Sequence, residues 1–184
     1  SHYLLKGYFE PGFSVYSNIY TLKAGYSLEL DVKKKELEIK SYFLPKFNLG
    51  EININFTEAL EKTESLMEQA VKKRLTADVP LGTLLSGGVD SSLITLFASK
   101  NSATPVNAFT ISFKEKDFNE ECYAKEVAIN PNINHRIKDA SDNNLISFLS
   151  RIVQVYGEPF GDYSSIPTYQ VFDVAKPYLK VILT

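Results

Sequence analysis

The residues best suited to chemistry in this 184-residue chain are concentrated in Leu84-Leu85-Ser86-Gly87-Gly88-Val89-Asp90-Ser91-Ser92. A strand-like apolar segment precedes the stretch, and an apolar helical pattern with Leu93, Ile94, Leu96 and Phe97 follows it. A turn from strand to helix presents backbone N–H groups and the positive end of a helix dipole, so the pattern predicts an anion cradle. Gly87 and Gly88 allow left-handed or nest conformations and a close approach to phosphate, while the hydroxyls of Ser86, Ser91 and Ser92 can donate to its oxygens. Asp90 would repel a phosphate unless a divalent cation stood between them, which argues for Mg²⁺ with Asp90 as its ligand. The competing reading is a tight turn and nothing more. A loop built only for turning does not need a carboxylate and several hydroxyls as well.

Spacing removes the more familiar motifs. Gly82 and Gly87 give G-x-x-x-x-G, but Gly88-Val89 follows where a Walker A loop has Lys and then Ser or Thr. No G-x-G-x-x-G fingerprint is present, and no G-x-S-x-G elbow surrounds Ser86, so neither hydride transfer nor serine hydrolysis is supported. Composition narrows the field further. With 44% apolar and 23% charged residues the chain should fold on its own core. Twenty Lys plus Arg against 22 Asp plus Glu leave a charge of -2, which speaks against nucleic acid or an anionic membrane as a partner. Cys122 is the single cysteine, so no internal disulfide is expected, and with His2 and His135 it is too sparse a set for a zinc cage. No apolar run approaches the ~18 residues of a membrane span, and a reducing, cytoplasmic setting is expected.

The elements that must position the loop follow from periodicity. Residues 1–43 alternate as strands, with Lys33-Lys34-Lys35 as the basic turn of a hairpin. Residues 44–56 mix Pro, Gly and Asn and read as a linker. A helix then starts with Thr57 as N-cap, carries Leu60, Met67, Ala70, Val71 and Leu75 at helical spacing, and ends near Leu75. Strands at 79–86, 106–113, 134–137 and from 179 alternate with helices at 91–99, 119–128, 142–155 and 167–175. That order predicts right-handed βαβ units on a parallel twisted sheet with helices on both faces. The opening Ser1-His2 and the apolar ending Leu179 to Thr184 suggest a piece of a longer polypeptide.

Ser86-Gly87-Gly88-Val89-Asp90-Ser91 resembles the pyrophosphate loop of the N-type ATP pyrophosphatases, the PP-loop superfamily. Ala77-Asp78-Val79-Pro80-Leu81-Gly82 resembles the D-V-P-x-G approach of the glutamine-hydrolysing asparagine synthetases. Phe109-Thr110-Ile111-Ser112-Phe113, Phe118-Asn119-Glu120, and Tyr123-Ala124 through Val127-Ala128 resemble that family's second strand and next helix. Glu158-Pro159-Phe160-Gly161-Asp162 with Ile166-Pro167-Thr168-Tyr169 resembles its E-P-F-A-D-S-S-x-I-P-T-Y segment. Gly7-Tyr8 and Leu22-Lys23-Ala24-Gly25-Tyr26 resemble the closing part of its glutaminase domain.

The resemblance implies a Rossmann-like, adenine nucleotide alpha-hydrolase-like fold at 57–184, C-terminally incomplete, behind a β-rich glutaminase remnant at 1–43. It implies ATP and Mg²⁺, a carboxylate acceptor with aspartate foremost, ammonia drawn from glutamine, and a homodimer as one possible assembly. The carboxylate attacks the α-phosphorus, pyrophosphate leaves, and ammonia captures the acyl-adenylate. The implied ATP and pyrophosphate contacts are Leu85, Ser86, Gly87, Gly88, Asp90, Ser91, Ser92 and Ile111, with Leu85 and Ile111 flanking adenine or, equally, belonging to the core. Asp162, Tyr163 and Ser164 are the acceptor-site candidates; Tyr163 stands where the family has Ser, which leaves open a sugar acid, a glycan precursor or another carboxylate. The family's second acidic loop, a downstream Lys and the N-terminal nucleophilic Cys have no counterpart in this stretch, which alone is expected to be inactive and receives no catalytic residue. A noncatalytic nucleotide-binding module is the alternative from another class. Cys122 reads as a packed or incidental thiol, His135 as a structural or surface histidine, and Lys72-Lys73-Arg74 as a complement to a helix dipole.

Overall fold

The computed structural model describes residues 2–46, 53–113, 119–140 and 145–184. The chain divides into two compact units, Ser1–Ile52 with Leu149–Tyr163, and Asn53–Phe148 with Ser164–Thr184. Parts of the expected linker (47–52), Phe118, and the expected helix start at Asp142 lie outside the described residues.

In the first unit, Tyr26–Asp31 (β1) and Glu36–Ser41 (β2) pair antiparallel, from Tyr26 opposite Ser41 to Asp31 opposite Glu36. Asp31 Oδ1 accepts the N–H groups of Lys33 and Lys34 at 2.9 and 3.0 Å, so the lysine run is the turn of this hairpin. The expectation of strands over residues 1–43 holds only for this hairpin: residues 7–25 run as turns and irregular chain, and His2–Lys6 forms a short helix (α1). The Gly7 N–H closes its single turn on the Tyr3 carbonyl at 2.7 Å, and the Tyr3 and Phe9 rings stack 5.4 Å apart. Alternation of apolar types does not survive when local ring packing favours a turn of helix.

The second unit begins with the helix Phe56–Arg74 (α2). Its N-cap is Asn55 rather than Thr57: Asn55 Oδ1 accepts the Glu58 N–H at 2.9 Å while Glu58 Oε2 accepts the Asn55 N–H at 3.3 Å. A reciprocal capping box satisfies two terminal donors, and a Thr57 cap could not form one because Leu60 would then stand at the third helical position. Leu81–Leu84 (β3), Val106–Ser112 (β4), Ile133–Asp139 (β5) and Val181–Leu183 (β6) form a parallel sheet in the order β5-β4-β3-β6. The helices of this unit that follow are Val89–Asn101 (α3), Glu121–Val127 (α4) and Ser165–Ala175 (α6), whereas Leu145–Tyr156 (α5) belongs for most of its length to the first unit.

Side chains alternate between the two faces of the sheet with the period of a strand. On one face Val106 packs with Val71, Phe97 and Ala98, beside Met67, Leu75 and Leu183, and Ala108 packs with Leu85, Ala124 and Ile133. On the other, Phe109 packs with Val171, Ala175 and Leu179, flanked by Leu84, Ile111 and Ile182. Helices therefore cover both faces, as the alternating order predicts. Of the apolar positions read on α2, Leu60 faces solvent at 57% exposure, so the packed stripe is Met67, Val71 and Leu75. Two buried hydroxyls pin α3 to the sheet, with Thr95 Oγ1 donating to Thr83 Oγ1 at 3.0 Å.

Candidate nucleotide site

The strand order runs outward from β3 to β5 and then returns to β6 on the far side of β3. Such a reversal opens a crevice at the carboxyl ends of the strands. The turn from β3 into α3 lies at that end. Gly87 has φ +101°, and a Cβ there would stand 2.5 Å from the Glu120 carbonyl oxygen and 3.1 Å from the Ala124 nitrogen. Both the backbone angle and the close approach of the chain beside α4 therefore demand glycine.

Hydroxyls tie the turn together. The Ser86 N–H donates to Ser91 Oγ at 3.2 Å, and the Gly88 N–H donates to Ser86 Oγ at 3.2 Å. Ser91 Oγ donates to the Gly88 carbonyl at 3.1 Å; its one proton being used there, the 2.9 Å contact with Ser86 Oγ has Ser86 as donor. Ser86 and Ser91, expected to donate to phosphate, here shape the turn. The first intrahelical bond of α3 runs from the Ser92 N–H to the Gly88 carbonyl at 3.0 Å, and the N-cap Gly88 offers no capping side chain. The N–H groups of Val89, Asp90 and Ser91 thus precede the helical ladder at the positive end of a 13-residue helix. Asp90 is exposed in this first turn. Among the described residues no group of three or more His, Cys, Asp or Glu side chains could hold a metal.

Beside the turn is a pocket of about 190 Å³ whose lining includes Leu84, Leu85, Ser86, Phe109, Thr110, Ile111, Glu120 and Val171. It is smaller than the roughly 300–1,000 Å³ of a typical small-molecule site, and suits one ring system rather than a whole nucleotide. Ile111 is half-buried there, whereas the Leu85 side chain is wholly buried on the opposite face of the sheet, so Leu85 offers the pocket its backbone. A larger hollow of about 400 Å³ runs along α6 and β6, lined by Tyr169, Asp173, Lys176 and Lys180 among others. It includes no residue of the glycine turn, so the smaller pocket is the better candidate.

Sequence reasoning missed Thr110, and it read His135 as a structural or surface histidine without the partner that the sheet gives it. Thr110 is 2% exposed and donates its hydroxyl to the Leu85 carbonyl, and His135 Nε2 lies 2.7 Å from Thr110 Oγ1. The available signal was a hydroxyl in the inward row Val106, Ala108, Thr110. Burial pushes the His135 imidazole below its ordinary 6.5; the Glu121 carboxylate opposes this and Lys125 adds to it. The neutral ring is thus favoured on folding, and the stability tied to it is present above 6.5 and lost as pH falls through the folded value.

Asp162 and Tyr163 fall in the hairpin-containing unit, and Tyr163 is 91% exposed. Ser164 belongs to the sheet unit, where its carbonyl accepts the Thr168 N–H at 2.9 Å as α6 begins. Cys122 is exposed on α4, which removes the packed reading of this thiol. Glu121 beside it pairs with Lys125, and its carboxyl is held below the ordinary range by that ammonium and by hydrogen bonds from Ser112 and Asn119. Among the described residues no helix is long and apolar enough to cross a membrane.

The fold and turn define a parallel α/β domain with a Gly87-Gly88 turn between its first strand and the helix that follows. Residues 62–184 match the family model for asparagine synthase, and the chain belongs to that family. It is 30% identical over 183 residues to a putative glutamine-hydrolysing asparagine synthetase 2 from Methanocaldococcus jannaschii, covering 99% of this chain and 35% of that protein. It is 30% identical over 149 residues to glutamine-hydrolysing asparagine synthetase 1 of Bacillus subtilis, covering 81% of this chain and 23% of that protein. The chain thus spans about a third or less of these relatives, 35% and 23%. Among solved structures, an NH3-dependent NAD synthetase from Campylobacter jejuni superimposes with a TM-score of 0.44 at 14% identity, over 66% of this chain and 54% of that one.

Proposed function

We propose that this chain supplies the ATP site of a glutamine-dependent amidotransferase of the asparagine synthetase type. The reading is carried by one observation, the turn from β3 to α3, where Gly87 occupies a conformation and a gap that admit no Cβ beside a ring-sized pocket. A substrate carboxylate oxygen attacks the α-phosphorus of ATP, the bond to the β-phosphate oxygen breaks, and pyrophosphate departs. Ammonia released from glutamine then displaces AMP from the acyl-adenylate and loses a proton to give the amide.

The chain's own part is positional and electrostatic. The N–H groups of Val89, Asp90 and Ser91, with the α3 dipole, stabilise charge building on pyrophosphate. Leu84 and Ile111 flank the adenine ring, and Leu85 contributes its backbone. Asp90 is exposed at the phosphate end, and one carboxylate plus phosphate oxygens and waters is a fitting donor set for Mg²⁺, which would neutralise phosphate charge when bound. Aspartate is the acceptor in this reading, and Ser164 is the acceptor candidate that belongs to the sheet unit. Tyr163 in place of the family's Ser supports a second reading with a different carboxylate acceptor.

Calorimetry with ATP tests the assignment. Wild-type chain should bind ATP more tightly with Mg²⁺ than without, and Asp90→Asn should lose that metal dependence while still folding. Equal, metal-independent binding by both proteins contradicts the role of Asp90, and absence of ATP binding by the wild type contradicts the function.

A further inference from the structure

We infer that His135 is a positioning residue of the glycine turn: its Nε2–H donates to Thr110 Oγ1, and Thr110 in turn fixes the Leu85–Ser86 peptide from which the turn springs. For its effect on nucleotide affinity this rests on the ATP-site reading; for its effect on the turn it does not.

The direction of the bonds follows from counting protons. The Leu85 carbonyl can only accept, so the single Thr110 hydroxyl proton is given to it, and Thr110 Oγ1 is left as an acceptor facing His135 Nε2 at 2.7 Å. The imidazole must then carry its proton on Nε2. Register permits this, because His135 lies opposite Ala108 on β5 and Thr110 is the next residue of β4 on that face. The other end of the same peptide is held as well, since the Ser86 N–H donates to Ser91 Oγ at 3.2 Å and Ser91 Oγ holds the Gly88 carbonyl at 3.1 Å. One peptide plane is therefore clamped through its C=O by β4 and β5 and through its N–H by α3. Thr110 at 2% and Leu85 at 0% exposure keep the bond between them from water, and the half-buried His135 ring stands beside the Thr110 hydroxyl. Valine would fill the Thr110 position in shape, so the hydroxyl has a task that packing does not explain.

Long-range ¹⁵N spectra of the wild-type chain at neutral pH should show His135 as the Nε2–H tautomer. His135→Ala and Thr110→Val should each move the Ser86 and Gly88 amide resonances, and each should weaken ATP·Mg²⁺ binding about fivefold to tenfold, the scale of one lost buried hydrogen bond. The double variant should be no weaker than the worse single one, and Thr110→Ser should restore both readouts. A ring protonated on Nδ1 alone, or unmoved Ser86 and Gly88 amides in Thr110→Val, overturns the inference. Amide shifts as expected in a chain that binds no ATP would support the clamp and count against the ATP-site reading only.

Discussion

Gly87→Ala should abolish ATP·Mg²⁺ binding, or weaken it by on the order of a hundredfold, while leaving a folded chain. Alanine at φ +101° carries backbone strain of about 1–3 kcal/mol. Its Cβ would also stand 2.5 Å from the Glu120 carbonyl, so either α4 gives way or the turn rebuilds. Ala124 anchors α4 in the core whereas Ser86, Val89 and Asp90 are exposed, so the turn is the part expected to move, which would carry the N–H groups at the start of α3 out of line. Gly88→Ala is the control. The φ at Gly88 is -67°, and a Cβ there meets only Ser86 Oγ at 3.4 Å, so this variant should bind nearly as the wild type does. Circular dichroism and calorimetry on the pair check the contrast; equal affinities for the two variants would contradict it.

The second large effect is on stability. Phe109→Ala should cost about 3–5 kcal/mol, the usual range for emptying an aromatic site in a core. Phe109 is 1% exposed among Val171, Ala175 and Leu179, with its ring 6.0 Å from that of Tyr178. Arg136 closes the stack, its guanidinium carbon 4.1 Å from the Tyr178 ring centroid. Phe109 also lines the proposed adenine pocket, so the variant should lose urea resistance and ATP affinity together. A shift of the urea midpoint equivalent to less than about 1 kcal/mol would show that α6 does not depend on this contact.

The alternation of strands and helices was legible because each element of the sheet unit carries its own period and its own breakers. The turn at Ser86–Ser92 was legible for a different reason, since its residue types are unsuited to a core. What stayed hidden were choices made by tertiary contact. Leu85 and Ile111 look alike as apolar strand ends, yet the alternation sends Leu85 beneath α4 and leaves Ile111 at the pocket. Asn55 takes the cap from Thr57 because Glu58 sits three residues on, where its side chain can reach back to the Asn55 N–H. His135 and Thr110 are 25 residues apart, and only the β4–β5 register brings them together.

The most direct test of the nucleotide site is an amide and methyl NMR titration of the labelled chain with ATP·Mg²⁺. Saturable shifts should appear at Gly87, Gly88, Val89, Asp90, Ser91 and the Ile111 methyl, with Lys176 and Lys180 beside the larger hollow unmoved. Shifts confined to Lys176, Lys180 and Ile182, or none at the glycine turn at saturating nucleotide, would contradict the assignment of the ATP site to the β3–α3 turn.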